Sequence, residues 1–318
     1  MRFSNLARVA IACASTCQAL NILLTNDDGF GSGNLRELYR LLRKAGHNAW
    51  IVAPSDEQSG QGGRAEFTTE ANLTSPAQFD LIPKGAPSIG RDPQDSHIWY
   101  YNGTPAATTF VALDYVLPKF ADFKVPDLHL SGPNFGTNLG PFVWTLSGTA
   151  GSSYVTTERS IPSIAISASN KKLSYLDIKN ETNEATWIAQ VAVKIVDQVI
   201  KSAPKGAPLL PLGYGLSVNI PPLTKNNTSP KIVHARMSGN AQISEAVLDP
   251  KKGTFSYANL KPYAAGINVC INGDCSLPGE TYVVAHGQVS ISIYIVDYDS
   301  PTSAYTDHIV SRIKPLTK

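Results

Sequence analysis

Apolar residues along this chain recur with two different periods, and the changes of period mark out its elements. The run Ile22-Leu23-Leu24-Thr25 is short, continuous and strand-forming, which predicts a buried strand. Leu35, Leu38, Tyr39 and Leu42 then recur at helical spacing, and Gly46 supplies a stop. Ala49-Trp50-Ile51-Val52-Ala53 is a second apolar run, closed by Pro54. Strand, helix and strand in this order predict a βαβ unit with a right-handed crossover. The loops after both strands then emerge on one sheet edge, where ligands of such sheets bind.

Residues 55–98 are rich in Pro, Gly, Ser and Gln and read as a long loop with short strands, Ala65–Thr69 among them. Asn102-Gly103-Thr104-Pro105 is a turn that opens a helix carrying Phe110, Leu113 and Val116. Asp127-Leu128-His129-Leu130 and Ser163-Ile164-Ala165-Ile166-Ser167 are further strands. An amphipathic helix over 183–202 places Trp187, Ile188, Val191, Ile195 and Val199 on one face. Beyond 204, Leu216, Val218 and Ile220 alternate, as do Val289, Ile291, Ile293 and Ile295. Between them, 223–284 reads as a projecting hairpin region inside a β-rich C-terminal part. The whole predicts an α/β sheet with helices on both faces.

Composition narrows the class. The 318 residues are 42% hydrophobic and 16% charged with a net charge of +2, so no strong field points to a nucleic-acid polymer. No apolar run reaches the ~20 residues of a membrane span. Arg2 and Arg8, the apolar Val9–Ala14 and the small Ala19 predict a secretory signal peptide over 1–19, with a mitochondrial transit peptide as the alternative. Residues 20–318 then form one domain. Asn-x-Ser/Thr sequons at Asn72, Asn102, Asn180, Asn226 and Asn227 are compatible with secretion, though Pro105 follows the Asn102 sequon closely. Cys13 and Cys17 leave with the signal. Cys270 and Cys275 flank an Asn-Gly turn, where a disulfide fits an oxidising compartment and two free thiols are the other reading. The histidines are scattered without zinc-ligand spacing, and His129, inside a strand pattern, reads as structural.

Candidate chemistry gathers in three loops on the predicted edge. The first is Asn26-Asp27-Asp28-Gly29, where two adjacent carboxylates after a strand repel unless a cation lies between them. The second runs from Pro54 to Gly63 and contains Ser59. The third, Ser131-Gly132-Pro133-Asn134-Phe135-Gly136-Thr137-Asn138-Leu139-Gly140, continues into Ser147-Gly148-Thr149. Oxygens from Asp27, Asp28, Ser59 and Asn134 suit one hard divalent cation, magnesium or manganese, with calcium as a further candidate. Ser147, Gly148 and Thr149 would open a small-residue helix whose N–H groups and hydroxyls suit a phosphate, with Asn134 and Asn138 beside them. A metal next to an anion cradle is the pairing used in phosphoryl hydrolysis.

Taken together, these loops resemble the SurE family of survival-protein nucleotidases and acid phosphatases. Ile22–Gly29, Ala53–Gly60, Asn102-Gly103-Thr104-Pro105-Ala106, Ser131–Gly140 with Ser147-Gly148-Thr149, Ile161–Ser167 and Gly287–Ile291 carry the likeness in order. The resemblance implies a Rossmann-like three-layer sandwich with a mainly parallel sheet and a metal on Asp27, Asp28, Ser59 and Asn134. It also implies a phosphomonoesterase for nucleoside monophosphates or other small phosphate esters, of the fungal secreted type, assembled as a homodimer or homotetramer. Asp27 or Asp28 would handle the attacking water, and Asn138 would hold the phosphate. Pro133, Pro141-Phe142 and Thr108 depart from the family pattern. A non-catalytic secreted phospholigand-binding protein and a metal-dependent glycosyltransferase are the alternative readings.

Overall fold

The computed structural model describes residues 19–239, 244–259 and 274–317. The chain opens with β1 (Asn21–Thr25), α1 (Gly33–Lys44) and β2 (Asn48–Pro54). It continues through β3 (Ile89–Arg91), β4 (Ile98–Tyr101), α2 (Pro105–Val111), a π-helical turn at Ala112–Val116 and α3 (Leu117–Phe120). Next come β5 (Leu128–Phe135), α4 (Pro141–Leu146), α5 (Gly148–Glu158), β6 (Ser163–Ala168), α6 (Glu184–Ser202) and β7 (Tyr214–Ile220). The C-terminal part contributes β8 (Ile232–Ala235), β9 (Ser244–Asp249), β10 (Thr254–Asn259), α7 (Glu280–Ala285), β11 (Val289–Ile295) and α8 (Ala304–Ile313).

Nine strands form one sheet in the order β3-β4-β2-β1-β5-β6-β7-β11-β8. All neighbours are parallel except β3 with β4 and β7 with β11. Alternation sorts the apolar side chains onto two faces. Ile22, Leu24, Ile51 and Leu130 meet α1 and α6 in one core, while Leu23, Trp50, Val52 and Trp99 meet the helical stretch 105–120 and α5 in the other. This is a Rossmann-like three-layer sandwich. Leu35, Leu38 and Leu42 of α1 are fully buried, and each such side chain contributes roughly 1.5–3 kcal/mol. Gly46, with φ at 93°, ends α1 in the left-handed conformation that favours glycine.

The strand order has a consequence for function. From β1 the chain crosses to β2 on one side, whereas β5 flanks β1 on the other. The sheet therefore reverses direction of growth at β1 and β5, and a crevice opens beyond their carboxyl ends. A bulge at the end of β5 sharpens that edge. The pairing with β6 shifts between Ser131 and Asn134, across a cis Gly132–Pro133 peptide. A Cβ on Gly132 would lie 2.1 Å from the Ile166 carbonyl oxygen, so only glycine fits. The bulge interrupts the alternation set by Leu128 and Leu130 and re-aims Asn134. Pro133 sits here, where no ladder N–H is needed.

Some expected elements differ. Ala65–Thr69 is irregular, because its backbone bonds to side chains: Glu66 N–H donates to Thr104 Oγ1 at 2.9 Å and Thr68 N–H to Tyr101 Oη at 3.1 Å. The strands of that stretch are instead β3 and β4, and β4 extends the parallel sheet beside β2. Within 223–284, β9 and β10 pair only with each other, as a projecting hairpin would. Yet β8 joins the main sheet, and Glu280, Thr281, Val283 and Val284 of α7 are buried. The Cys270–Cys275 pairing falls at Cys270 outside the described residues, and the segment 1–19 does so up to residue 18; Cys275 is disulfide-bonded.

Candidate active site

The acid pair is aimed by its own turn. Asn26 closes it, donating from Nδ2 to the Gly29 carbonyl at 3.0 Å and accepting the Gly29 N–H at Oδ1 at 3.2 Å. Gly29 has φ at 102°, and a Cβ there would strike the Gln78 side chain at 2.6 Å. The loop after β2 lies against this turn: Pro54 accepts the Phe30 N–H at 2.9 Å, and the Asp27 carbonyl accepts the Gln58 N–H at 2.7 Å. Gln78 donates from Nε2 to the Asp28 carbonyl.

Asp27 and Asp28 are almost wholly buried. Thr149 donates its hydroxyl to Asp27 Oδ1 at 2.7 Å, and its backbone N–H also binds that carboxylate. Phe135 N–H donates to Asp28 Oδ2 at 2.8 Å. Burial pushes both carboxyls above the ordinary range; Glu57 adds repulsion at Asp27, and the Asp27 charge adds repulsion at Asp28. The donors that reach the pair only partly offset this, and Lys172, which attracts Asp28, spends its charge on Glu57 at 3.5 Å. Two buried carboxylates in this state are short of positive charge.

Asn134 is buried beside Asp28 through its neighbour Phe135. Its Nδ2 donates to the Gly136 carbonyl at 2.8 Å, while its Oδ1 is buried without a hydrogen-bond partner. An orphaned buried acceptor, one residue along the chain from the N–H that binds an undercompensated carboxylate, fits a hard cation with oxygen ligands. Among the described residues no group of three or more His, Cys, Asp or Glu could hold a metal, so any ion here relies on neutral oxygens as well. Ser59 is exposed and directs its hydroxyl to Glu57 Oε1 at 2.5 Å. Asn138 is buried and tied to the sheet, donating from Nδ2 to Ser167 Oγ at 2.8 Å and from its N–H to Asn219 Oδ1 at 2.8 Å.

Ser147 caps α5 by accepting the Ala150 N–H at 3.2 Å. Gly148 lets that helix terminus touch the acid turn, since a Cβ there would lie 2.8 Å from Asp27 Cβ. The positive end of α5 thus faces Asp27. Thr149, expected to bind phosphate, is engaged first with Asp27.

Four residues carry signals that sequence reasoning missed. Glu57 lies inside the second loop but shows its electrostatic role only in space. Gln78 lies in a stretch with no pattern at all. Lys172 follows β6 in an ordinary polar loop. Glu280 is buried on α7, accepting the Gly140 N–H at 2.8 Å and the Ser292 hydroxyl at 3.1 Å. It thereby anchors the loop that carries Asn138. His129 is structural, as expected: it is fully buried among Thr25, Thr156 and Ser163 hydroxyls, each at 2.8 Å, and burial pushes it down to about 3, leaving it neutral.

Residues 22–243 match the family model described as survival protein SurE. An acid phosphatase of Yarrowia lipolytica is 42% identical over 290 residues, covering 88% of this chain and 80% of that protein. A 5'-nucleotidase SurE of Prochlorococcus marinus is 32% identical over 209 residues, covering 66% of this chain and 65% of that protein. The crystal structure of the Sure protein from Aquifex aeolicus aligns with a TM-score of 0.61 at 26% identity, covering 93% of this chain and 99% of that one.

Proposed function

Since the chain belongs to the SurE family, we propose that it is a phosphomonoesterase that hydrolyses small phosphate esters with the help of one divalent cation. The acid-phosphatase and 5'-nucleotidase names of its relatives support phosphomonoester hydrolysis. The observation that carries the cation is the orphaned Asn134 Oδ1, on the residue next to Phe135, whose N–H binds the buried Asp28 carboxylate. Asp27, Asp28 and Asn134 would hold magnesium or manganese, with calcium as the larger alternative. Ser59 would add its hydroxyl if that group turned from Glu57. When bound, such an ion polarises a phosphoryl oxygen and lowers the pKa of water.

The chain's own groups do the rest. Thr149 and Phe135 hold the two carboxylates in fixed directions, so that Asp27 or Asp28 orients the attacking water and accepts its proton. The first turn of α5, with Ser147 and Gly148, faces the ester and favours its negative charge. Asn134 and Asn138 line the same edge, and the donors there meet charge as it develops on the phosphoryl oxygens. Nucleoside monophosphates are the substrates we favour, and a secreted setting is supported by the disulfide at Cys275. Assembly as a homodimer or homotetramer is supported by apolar side chains left exposed on the C-terminal elements, among them Phe255, Tyr305, Ile309 and Val310. No helix among the described residues is long and apolar enough to cross a membrane.

The test is a phosphatase assay of the purified protein across divalent cations and phosphoesters. Activity that appears with magnesium or manganese and vanishes with chelator is the expected result. Full turnover in excess chelator would remove the cation from the scheme, and binding of phosphoesters without turnover would favour a phospholigand-binding protein.

A further inference from the structure

The loop that ends at Gly140 is fastened by three buried side chains from three different elements. Asn138 donates from Nδ2 to Ser167 Oγ on β6 and from its N–H to Asn219 Oδ1 on β7, each at 2.8 Å. Two residues on, Gly140 donates its N–H to Glu280 Oε1 at 2.8 Å. Ser167 and Asn219 belong to neighbouring parallel strands and hold the loop from below. Glu280 is the first residue of α7 and reaches the loop from the C-terminal part of the chain.

Glu280 is itself held at a junction. Its N–H donates to the Arg236 carbonyl at 2.9 Å, and the Arg236 N–H donates to the Pro278 carbonyl at 3.0 Å. Arg236 also donates from Nε to the Leu277 carbonyl at 3.0 Å. Arg236 directly follows β8, so these bonds stitch together the two ends of the segment that carries β9 and β10. Glu280 Oε2 accepts the Ser292 hydroxyl of β11 at 3.1 Å. Its carboxyl thus meets two neutral donors and, among the described residues, no cation. A buried carboxyl without a cation costs stability, and an apolar side chain of the same size would pack there more cheaply. What the acid adds in return is the bond to Gly140. It lies outside residues 22–243, which match the family model.

We propose that Glu280 is a positioning residue for the reaction: through the Gly140 N–H it fixes the loop that carries Asn138, and it ties that loop to the root of the segment bearing β9 and β10. The proposal rests on the phosphomonoesterase reading and adds to it a residue that touches neither the ester nor the cation. Without the bond, Asn138 is held from β6 and β7 alone, and the chain just beyond it is free to drift. A small displacement of a group that meets developing charge is enough to slow turnover.

Two measurements on the full-length protein test this. The first compares Glu280→Met, which fills the space without an acceptor, with Glu280→Gln, which keeps a carbonyl oxygen for the Gly140 N–H. With p-nitrophenyl phosphate and magnesium or manganese, kcat should fall about tenfold in Glu280→Met with KM within about twofold, while Glu280→Gln stays within about threefold of wild type. Melting temperature should not follow that order, because the apolar side chain is the better tolerated in a dry interior. Equal kcat in Glu280→Met and wild type, or an equal loss in both variants, overturns the proposal. If Glu280→Met does not fold, Glu280→Ala takes its place; failure of both to fold would make Glu280 a residue of the fold alone and overturn the proposal as well. The second measurement reads amide hydrogen exchange over 136–140 without substrate. Exchange should quicken several-fold in Glu280→Met and stay near wild type in Glu280→Gln. This readout stands even if wild type hydrolyses no ester, in which case the functional reading fails alone; unchanged exchange in Glu280→Met overturns the tether.

Discussion

Thr149 donates its hydroxyl to Asp27 Oδ1 at 2.7 Å, joining two residues separated by 122 positions in sequence. The bond ties the first turn of α5 to the turn after β1, so a carboxylate and a helix N-terminus share one point. Thr149→Val keeps the shape and removes the donor. A hydrogen bond to a charged group is worth about 1.5–3 kcal/mol. We expect kcat to fall roughly tenfold or more and Thr149→Ser to restore most of it. Steady-state assays at saturating cation and substrate decide this, and equal kcat for valine and threonine would show that the bond does not orient Asp27.

The crowding of Asp27 and Asp28 predicts opposite effects of Asp27→Asn on stability and activity. Removing one of two buried like charges relieves repulsion. In chelator, the variant should melt a few degrees above wild type; 1 kcal/mol corresponds to roughly 2–4 °C in large domains. Its turnover should drop by about a thousandfold or more. A variant that melts lower in chelator would mean that the carboxylate stabilises the fold by itself.

Cation removal gives a third outcome. Magnesium or manganese at about 100 times its dissociation constant should stabilise wild type by roughly 2.7 kcal/mol. Asp28→Asn should lose most of that gain. Thermal melts with and without the ion, at constant ionic strength, measure it, and equal shifts in both proteins would place the ion elsewhere.

Glu280 supplies a pH signature. Burial, only partly offset by the Gly140 and Ser292 donors, raises it from the usual 4.5 to about 7. Between those values the folded protein holds a proton that the unfolded chain has released. Stability from this group is therefore full below 4.5 and declines as pH rises through about 7. Glu280→Gln should flatten that decline, since the amide remains neutral. Urea unfolding at several pH values reads the slope, and identical profiles for the two proteins would exclude Glu280 as its source.

Close packing predicts a steric contrast. A Cβ on Gly151 would lie 2.0 Å from the Gly62 carbonyl oxygen, whereas one on Gly63 would meet nothing within 4 Å. Gly151→Ala should cost about 1–3 kcal/mol and loosen the second loop over α5. Gly63→Ala should stay near wild type in the same unfolding measurement.

Much of the candidate site is legible in local sequence. The strand ending in Asp27-Asp28, the glycine-rich third loop and the Ser147 cap each have a local cause in residue type and spacing. The strands at 89–91 and 98–101 could not be read, because Ile98-Trp99-Tyr100-Tyr101 is too short to show a period and its partner β2 lies more than forty residues upstream. The same holds for Gln78 on the Asp28 carbonyl and Glu280 on Gly140. A lone glutamine in a loop and a lone glutamate at the start of a short helix carry no pattern that points to a partner 50 or 140 residues away.

The amino-acid order by itself determined the α/β alternation and the sheet edge on which the adjacent Asp27 and Asp28 emerge. These follow from hydrophobic period and turn chemistry, which act between near neighbours. Tertiary structure alone decided that Thr149 serves Asp27, that the Asn134 oxygen is left without a partner and that Ser59 leans on Glu57. Those relations depend on which strands become neighbours and on a bulge that turns one side chain. Only the packed sheet, by excluding water and bringing distant loops together, sets them.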